Sequence, residues 1–252
     1  MTTPRILIIA GSDSGGGAGI QADIKTVTML GGHAMTAITA VTAQNTLGVQ
    51  GVHAVPTDMA LAQIDSVVGD LGVDAVKIGM IGSAQTARAV AARLESINAP
   101  IVLDPVMVAT NGGVLADAET IAAMEELMGW AYLTTPNLPE LAALGGEAAL
   151  TAQGELLLIK GGHAEGETII DRLVGPEGEI ARWEDARIDT QDTHGTGCTL
   201  ASAIATGLGE GLDLPDAISR ARKFVRAALL AAPGMGQGHG PMGHQFVDVS
   251  AL

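Results

Sequence analysis

The sequence predicts an α/β fold, a mostly parallel sheet with helices on both faces and one antiparallel edge. Apolar runs typical of buried strands alternate along the chain with stretches of helical period. Late in the chain, residues 168–175 and 179–188 flank Pro176 and indicate a hairpin, which would form the antiparallel edge. Hydrophobic residues make up 47% of the chain and charged residues 16%, a balance that favours a folded globular protein over a disordered one.

The remaining elements follow from the same runs in chain order. Strands are predicted at 5–11, 34–43, 49–55, 73–81, 101–106, 131–137 and 155–162. Helices are predicted at 20–30, 56–70, 84–97, from 117 onward, 138–144, 195–209 and 214–231. Gly31 can end the first helix, and Ser83 can cap the third. Because no fixed-period repeat or long linker interrupts the pattern, we expect residues 1–252 to form a single domain.

The charge balance excludes two classes of partner. The formal net charge is −15, and only 13 residues are Lys or Arg. Nucleic acids and anionic membranes attract proteins with basic patches, so we expect neither as a partner. A small phosphate ligand remains compatible with this composition. Backbone N–H groups, helix N-termini and a metal ion would then hold most of its charge.

Cysteine usage and the N-terminus bear on location. A single cysteine excludes a disulfide framework, and the Cys and His residues do not have the spacing of zinc ligands. The first residues, MTTPRILIIAGSDSG, lack the apolar region and cleavage site of a signal peptide. Apolar stretches of about 18 residues, the length that spans a membrane, are also absent from the sequence. We therefore expect a cytoplasmic protein.

Five polar or glycine-rich loops follow predicted strands or open the seventh helix. They are GSDSGGGAG, DPVM, TPNLPE, KGGH and HGTGC. In parallel sheets, ligands bind outside the carboxyl ends of the strands, so these loops are where chemistry is expected. The first loop lacks the GK[ST] of a phosphate-binding P-loop and the G-x-G-x-x-G spacing of dinucleotide-binding proteins. A flexible turn is the alternative interpretation of that loop.

The segment HGTGC places the only cysteine, Cys198, at the start of a predicted helix. Thr193 is a candidate cap, and the small residues Gly195, Thr196 and Gly197 leave the first helical N–H groups open to an anion. These amides could stabilise a phosphoryl group during transfer. A helix N-terminus lowers the pKa of a thiol, so Cys198 could act as a general base. The alternative is a tightly packed helix start with a buried thiol.

Two acidic sites suggest a metal ion. Asp104 ends a predicted strand, and Asn137 and Glu140 lie three residues apart at a helix start. Oxygen ligands of this kind suit Mg2+ bound to nucleotide phosphates, although Asn137 and Glu140 could instead form a capping box. Lys160 precedes two glycines and is either a phosphate contact or a solvated side chain. The other histidines show no ligand spacing.

Eight segments occur in a fixed order along the chain: AGSDSGGGAGIQADIKT, VTAQNTLGVQ, KIGMIGS, VLDPVMVA, TPNLPE, LIKGGH, DTHGTGCTLASAIA and GHGP. Together they resemble the hydroxymethylpyrimidine/phosphomethylpyrimidine kinases of thiamine biosynthesis, which belong to the ribokinase-like superfamily. The resemblance covers nearly the whole chain. It implies a three-layer sandwich and two ATP-dependent steps at one site, from 4-amino-5-hydroxymethyl-2-methylpyrimidine to its monophosphate and then to the diphosphate.

The resemblance also assigns roles at the acceptor side. Cys198 stands where the sugar kinases of the superfamily have an Asp, and it is the expected base. Gly195, Thr196 and Gly197 form the expected anion hole. Gln44 matches the residue that hydrogen-bonds the aminopyrimidine, and its amide offers both a donor and an acceptor. Met80 and Val106 match apolar pocket positions, and Gly11 is expected on the substrate side. Asp23 is expected either to orient the first glycine-rich loop or to touch the substrate.

At the nucleotide side, the resemblance implies that Asp104, Asn137 and Glu140 organise Mg2+, mainly through water. Lys160 is expected to face the phosphates of ATP, and Thr193 to contact the nucleotide. A requirement for a monovalent cation stays open. The chain ends after the kinase motifs, so we expect no fused thiamine synthase.

Two departures from the family pattern stand out. The family usually reads AKSG after DPVM, whereas this chain has ATNG, with Thr110 and Asn111. The stretch 141–156 is short, and a helix that covers one sheet face is expected to be lost or merged there. Apolar surface exposed in this way could be covered by a second copy, so a homodimer is expected.

Two other functions compete with this interpretation. The same branch of the superfamily includes pyridoxal kinases, whose substrate also carries a hydroxymethyl group on a heteroaromatic ring. A non-catalytic nucleotide-binding regulator is the second alternative, suggested by the shortened stretch. Cys198, Asp104 and the anion-hole residues argue against the regulator, and Gln44 favours the pyrimidine.

Overall fold

The computed structural model describes residues 3–107, 117–164 and 166–252, so Thr110 and Asn111 lie outside the described residues. The strands are β1 (Arg5–Asp13), β2 (His33–Asn45), β3 (Gly48–Ala54), β4 (Ala75–Ile78), β5 (Ile101–Leu103), β6 (Leu133–Thr134), β7 (Leu157–Ile159), β8 (Thr168–Gly175) and β9 (Gly178–Ala186). The helices are α1 (Gly19–Met29), α2 (Thr57–Leu71), α3 (Ala84–Leu94), α4 (Ala118–Met128), α5 (Leu138–Ala143), α6 (Glu147–Ala152), α7 (Thr196–Gly209) and α8 (Leu214–Leu230).

One nine-stranded sheet runs through the described residues in the order β3-β2-β1-β4-β5-β6-β7-β8-β9. The six strands from β2 to β7 pair in parallel. The predicted hairpin β8–β9 forms an antiparallel edge, and β3 pairs antiparallel with β2 at the opposite edge. Because the central strands are parallel, their carboxyl ends point the same way. The loops that follow β1, β4, β5, β6 and β7 therefore all lie at this end of the sheet.

Alternation along the central strand separates the two faces of the sheet. In β1, Leu7 and Ile9 pack into one apolar cluster, and Ile6, Ile8 and Ala10 pack into another. The first cluster includes residues of α2, α3 and α4, and the second includes residues of α1, α7 and α8. This arrangement confirms the predicted sandwich of three layers. Within the described residues, no helix is both long enough and apolar enough to cross a membrane.

Element boundaries match the sequence predictions most closely where a cap marks them. Ser83 caps α3, and its Oγ accepts a hydrogen bond from Thr86 N at 3.1 Å. The strands near the site are shorter than predicted: β4 has four residues, β5 three and β6 two. Residues 79–81, 104–106 and 135–136 of the predicted runs form loops at the carboxyl ends of these strands, and residues 73–74 and 131–132 precede β4 and β6. The expectation of a missing helix in 141–156 is wrong, because α6 lies there and buries Leu150.

Candidate active site

A cleft of about 810 Å³ opens at the carboxyl ends of the parallel strands, beside the start of α7. It is lined by all but one of the predicted site residues: Gly11, Gln44, Met80, Asp104, Val106, Asn137, Glu140, Lys160, Thr193, Gly195, Thr196, Gly197 and Cys198. Asp23 is the exception, and its side chain is completely buried. The fold therefore brings together residues that lie up to 187 positions apart in the sequence.

The start of α7 depends on Gly195. This residue, rather than the predicted Thr193, is the N-cap, and its φ of 87° is strained for any side chain. A Cβ at Gly195 would also collide with the carbonyl oxygen of Gly17, in the first glycine-rich loop. Thr193 lies outside the helix, with its Oγ1 3.3 Å from Nδ1 of His239. The first N–H groups of α7 have no acceptor inside the helix and can serve an anion in the cleft.

Cys198 lies in the first turn of α7 and is partly exposed. Desolvation by the surrounding protein raises the pKa of its thiol to about 11. Lys77 and the Gly19 N–H lower this pKa, whereas Asp23 and Asp104 raise it further. The pKa of Cys198 is therefore raised and not lowered as expected, because burial and the carboxylates of Asp23 and Asp104 outweigh Lys77 and the Gly19 N–H.

Behind Cys198 lies a buried ion pair. Lys77 Nζ lies 2.9 and 2.8 Å from the two carboxylate oxygens of Asp23, and Ser202 Oγ donates to the same carboxylate at 2.7 Å. Both charged side chains have no solvent exposure. Burial opposes the charge on Lys77, but Asp23 and the nearby acidic groups outweigh it and raise its pKa. Asp23 therefore pairs with a buried cation and does not line the cleft, which corrects its assignment to the substrate side.

A second charged cluster lies at the ends of β5, β6 and β7. Lys160 Nζ is 2.6 Å from Asp104 Oδ1 and 3.8 Å from Glu140 Oε2. A Cβ on Gly197 would be 3.2 Å from Asp104 and 3.3 Å from Lys160 Nζ, so this cluster adjoins the predicted anion hole. Burial raises the pKa of Glu140, with Asp104 adding to the effect and Lys160 opposing it.

Two of the three predicted metal ligands, Asn137 and Glu140, are hydrogen-bonded at the start of α5. Asn137 and Glu140 form the capping box that was the alternative interpretation: Glu140 N donates to Asn137 Oδ1 at 2.9 Å, and Asn137 N donates to Glu140 Oε2 at 2.8 Å. Among the described residues, no group of three or more His, Cys, Asp or Glu side chains could hold a metal ion. The oxygen donors that would hold Mg2+ in this cleft are the carboxylates of Asp104 and Glu140, with water and phosphate oxygens completing the shell.

The KGG loop, residues 160–162, follows β7 and is held by two sets of hydrogen bonds. Gly161 N donates to Asp171 Oδ1 at 2.8 Å, and Asp171 pairs with Arg222 Nε at 2.7 Å. Arg187 donates to the carbonyl oxygens of Gly162, Ala164 and Gly166 at 2.9, 2.5 and 2.8 Å. The sequence analysis missed these residues, because their partners come from distant segments.

The first glycine-rich loop is organised by Asp13. Its carboxylate accepts hydrogen bonds from the N–H groups of Gly15, Gly17 and Ala18 at 2.8, 3.0 and 2.8 Å, and lies 2.9 Å from Nε2 of His194. Burial opposes the negative charge, yet the bonds from His194 and the backbone lower the pKa of the Asp13 carboxyl. The DTH that precedes GTGC was the available sequence signal for His194, but its partner is 181 residues away.

This sandwich and its cleft define an α/β kinase of the ribokinase-like class. Residues 13–243 match the family model for phosphomethylpyrimidine kinase, and the chain belongs to that family. A Rhizobium meliloti protein named hydroxymethylpyrimidine/phosphomethylpyrimidine kinase is 45% identical over 96% of this chain and 97% of its own length. A Geobacter sulfurreducens protein named thiamine biosynthesis bifunctional protein ThiED is 46% identical to this chain. The match spans 95% of this chain but only 52% of that protein's length.

Solved structures support the same class. A pyridoxal kinase from Bacillus subtilis, solved as an ADP complex, superimposes with a TM-score of 0.88 and is 33% identical, covering 97% of this chain and 98% of its own. The phosphomethylpyrimidine kinase of Clostridium difficile superimposes with a TM-score of 0.74 and is 34% identical, over 89% and 98% of the two chains. Kinases named for either ring type therefore share this architecture.

Proposed function

We propose that this protein transfers the terminal phosphoryl group of ATP to the hydroxymethyl group of 4-amino-5-hydroxymethyl-2-methylpyrimidine, and then phosphorylates the monophosphate to the diphosphate. One observation carries the proposal: Cys198 and the start of α7 share one cleft with the Asp104–Lys160 pair. An acceptor alcohol and a triphosphate could meet there. Relatives that match this chain at 45% identity bear the name of this activity.

The acceptor would bind between Gln44, Met80 and Val106, with its hydroxymethyl group towards Cys198. All four residues line the same cleft. As the hydroxyl oxygen attacks the terminal phosphorus, the bond from that phosphorus to ADP breaks and the hydroxyl proton passes to the thiolate form of Cys198. With a thiol pKa of about 11, a thiolate in this site would be a strong base present in a small fraction of molecules at neutral pH. Loose phosphoryl-transfer transition states tolerate such late proton removal.

The transferring phosphoryl group would lie against the N–H groups at Gly195–Gly197, where developing negative charge is stabilised. Lys160, at 12% side-chain exposure, would exchange part of its bond to Asp104 for the phosphates. Bound Mg2+ would neutralise phosphate charge and help align the reacting groups. Asp104 and Glu140 would hold it largely through water, while Asn137 keeps its role as the cap of α5. Adding a chelator should abolish turnover, and added Mg2+ should restore it.

The direct test is an assay of the purified chain with ATP, Mg2+ and the aminopyrimidine alcohol, followed by phosphorus NMR and mass spectrometry. We expect a monophosphate that appears first and a diphosphate that follows. A monophosphate that accumulates without conversion would reject the second step. ATP binding with no product from any acceptor would reject the enzyme and support the regulator.

Pyridoxal is the second candidate acceptor. The observation that favours it is the close superposition on pyridoxal kinases, including a Staphylococcus aureus enzyme solved with AMP-PCP and pyridoxal at a TM-score of 0.87 and 30% identity. Running pyridoxal in parallel in the same assay separates the two. A higher kcat/KM for pyridoxal would move the assignment to a vitamin B6 kinase.

We also propose that the protein is a cytoplasmic homodimer made of single-domain subunits. Large apolar side chains are exposed beside the short stretch at Trp130, Tyr132 and Leu138, and a second group lies near β3 at Val41 and Val52. A paired surface could cover either group. Sedimentation velocity of the wild type, Trp130→Glu and Val52→Glu tests this. A monomeric wild type would reject the dimer, and a monomer produced by one substitution would locate the interface.

A further inference from the structure

Gln44 is held at both its backbone and its side chain. Its N–H donates to Ser14 Oγ, and its carbonyl accepts from the same hydroxyl, both at 2.8 Å. The β2–β3 register shifts between Ala43 and Gln44, an irregularity that re-aims a side chain. In the structure the carboxamide oxygen lies 3.3 Å from Thr42 Oγ1, and the carboxamide nitrogen lies 3.0 Å from Nε2 of His194.

The donors and acceptors around this carboxamide determine its orientation. Asp13 Oδ2 lies 2.9 Å from His194 Nε2, and an ionised carboxylate only accepts hydrogen bonds, so Nε2 carries a proton. A protonated Nε2 cannot accept from the Gln44 nitrogen that faces it. Exchanging the carboxamide oxygen and nitrogen, which have nearly the same size, removes this conflict and lets the oxygen share the Nε2 proton with Asp13. Thr42 Oγ1 donates its proton to Ser12 O at 3.0 Å and can accept from the Gln44 amino group on the other side.

We infer that the Asp13–His194 pair fixes the Gln44 carboxamide with its oxygen towards His194 and its amino group towards Thr42, which makes His194 a specificity-determining positioning residue. One oxygen lone pair and one N–H then remain for a ligand in a fixed order along the cleft. An aminopyrimidine presents an amino donor beside a ring-nitrogen acceptor, also in a fixed order. Pyridoxal has no such pair. The inference rests on the proposed function and extends it to ring selection.

A purely structural role for His194 predicts something different. Its ring packs against Gly17, where a Cβ would collide with Cδ2, and it is 7% exposed. If His194 only braced the first loop, its loss would impair both acceptors and the phosphoryl transfer alike. If it acts through Gln44, its loss should weaken binding of the aminopyrimidine specifically.

The experiment measures kcat and KM for the aminopyrimidine alcohol and for pyridoxal in the wild type, His194→Leu, His194→Gln and Gln44→Ala, and in the double variant His194→Leu/Gln44→Ala. We expect His194→Leu to raise KM for the aminopyrimidine about tenfold, the effect of one lost hydrogen bond, with kcat changed less than about twofold. His194→Gln keeps an N–H donor near Nε2 and should restore most of the loss. In the Gln44→Ala background, His194→Leu should add nothing.

The control is His53→Leu, at an exposed histidine of β3. Equal losses of kcat for both acceptors, or a full additional loss in the Gln44→Ala background, would overturn the inference. If His194→Leu does not fold, His194→Asn repeats the test, because its shorter amide does not reach Gln44. A wild type that phosphorylates neither ring would reject the proposed function, whereas an active wild type with unchanged His194 variants would reject this inference alone.

Discussion

At Cys198, the balance between the helix terminus and burial determines what the thiol can do. Lys77 and the Gly19 N–H favour the thiolate, but desolvation and the carboxylates of Asp23 and Asp104 raise the thiol pKa to about 11. The thiol is therefore protonated at neutral pH when no ligand is bound. Only the small fraction of molecules that hold the thiolate can take up the hydroxyl proton, and this base matters only when the acceptor is a neutral alcohol.

Cys198→Ala should consequently affect the two proposed steps unequally. We expect a loss of about 10²-fold or more in the rate of alcohol phosphorylation, the size of a general-base effect. The monophosphate acceptor is already an anion, so the second step should lose much less. Single-turnover measurements with each acceptor give the two rates separately. Equal losses in both steps would contradict the base role, and Arg93→Gln, at an exposed surface pair, provides the control.

Lys77 is as completely buried as its partner, Asp23. Lys77→Met leaves the Asp23 carboxylate in a completely buried site without its cation. Breaking one side of a buried pair costs about 3–5 kcal/mol of unfolding free energy. Urea unfolding measures this loss. Lys77→Met/Asp23→Leu, which removes both charges, should recover much of it, and a double variant as unstable as the single one would contradict the explanation.

Among the helices and strands, periodicity and caps predicted the order in the chain. They did not predict the contacts between segments that are distant in the sequence. The apolar run 5–11 predicted β1, and Ser83 predicted the start of α3. The N-cap at Gly195 was missed because it depends on a close approach to Gly17, 178 residues earlier. Lys77 was missed because nothing in the local pattern of a buried strand identifies its partner. Local sequence patterns predict the helices and strands, whereas the site is formed by contacts between residues that are distant in the sequence.

Arg187 holds the segment that begins with the KGG loop, so we expect it to affect the binding of ATP. Arg187 donates to the carbonyl oxygens of Gly162, Ala164 and Gly166 and lines the same cleft as the predicted phosphate contact Lys160. In Arg187→Gln these bonds are lost, so we expect KM for ATP to rise about tenfold, with KM for the aminopyrimidine unchanged. Steady-state kinetics with each substrate varied in turn tests this. Arg182→Gln, on the exposed face of the same hairpin, is the matched control, and a change confined to the acceptor KM would contradict the assignment.

On the scale of the whole molecule, one sheet connects both apolar layers, and the segment after α8 folds back onto them. His244 is completely buried in this segment, with its Nε2 2.8 Å from Thr199 Oγ1 and its ring centroid 6.2 Å from that of Phe224. Thr199 follows Cys198 in α7. The C-terminal segment is therefore attached to the helix that carries the site, and we expect unfolding of the chain to be a single cooperative transition.

The buried imidazole makes that transition depend on pH. Burial, with Lys25 nearby, lowers the pKa of His244 to about 4, whereas the unfolded chain has a value of about 6.5. Between these values the unfolded state binds more protons, so the free energy of unfolding falls as pH drops from about 6.5 to about 4, by an amount on the order of 3 kcal/mol. Urea unfolding across this pH range should show the decrease in the wild type and in His33→Gln, an exposed control. His244→Gln should be less stable at neutral pH but should lose less stability on acidification. An equal slope in all three proteins would show that other groups cause the acid sensitivity.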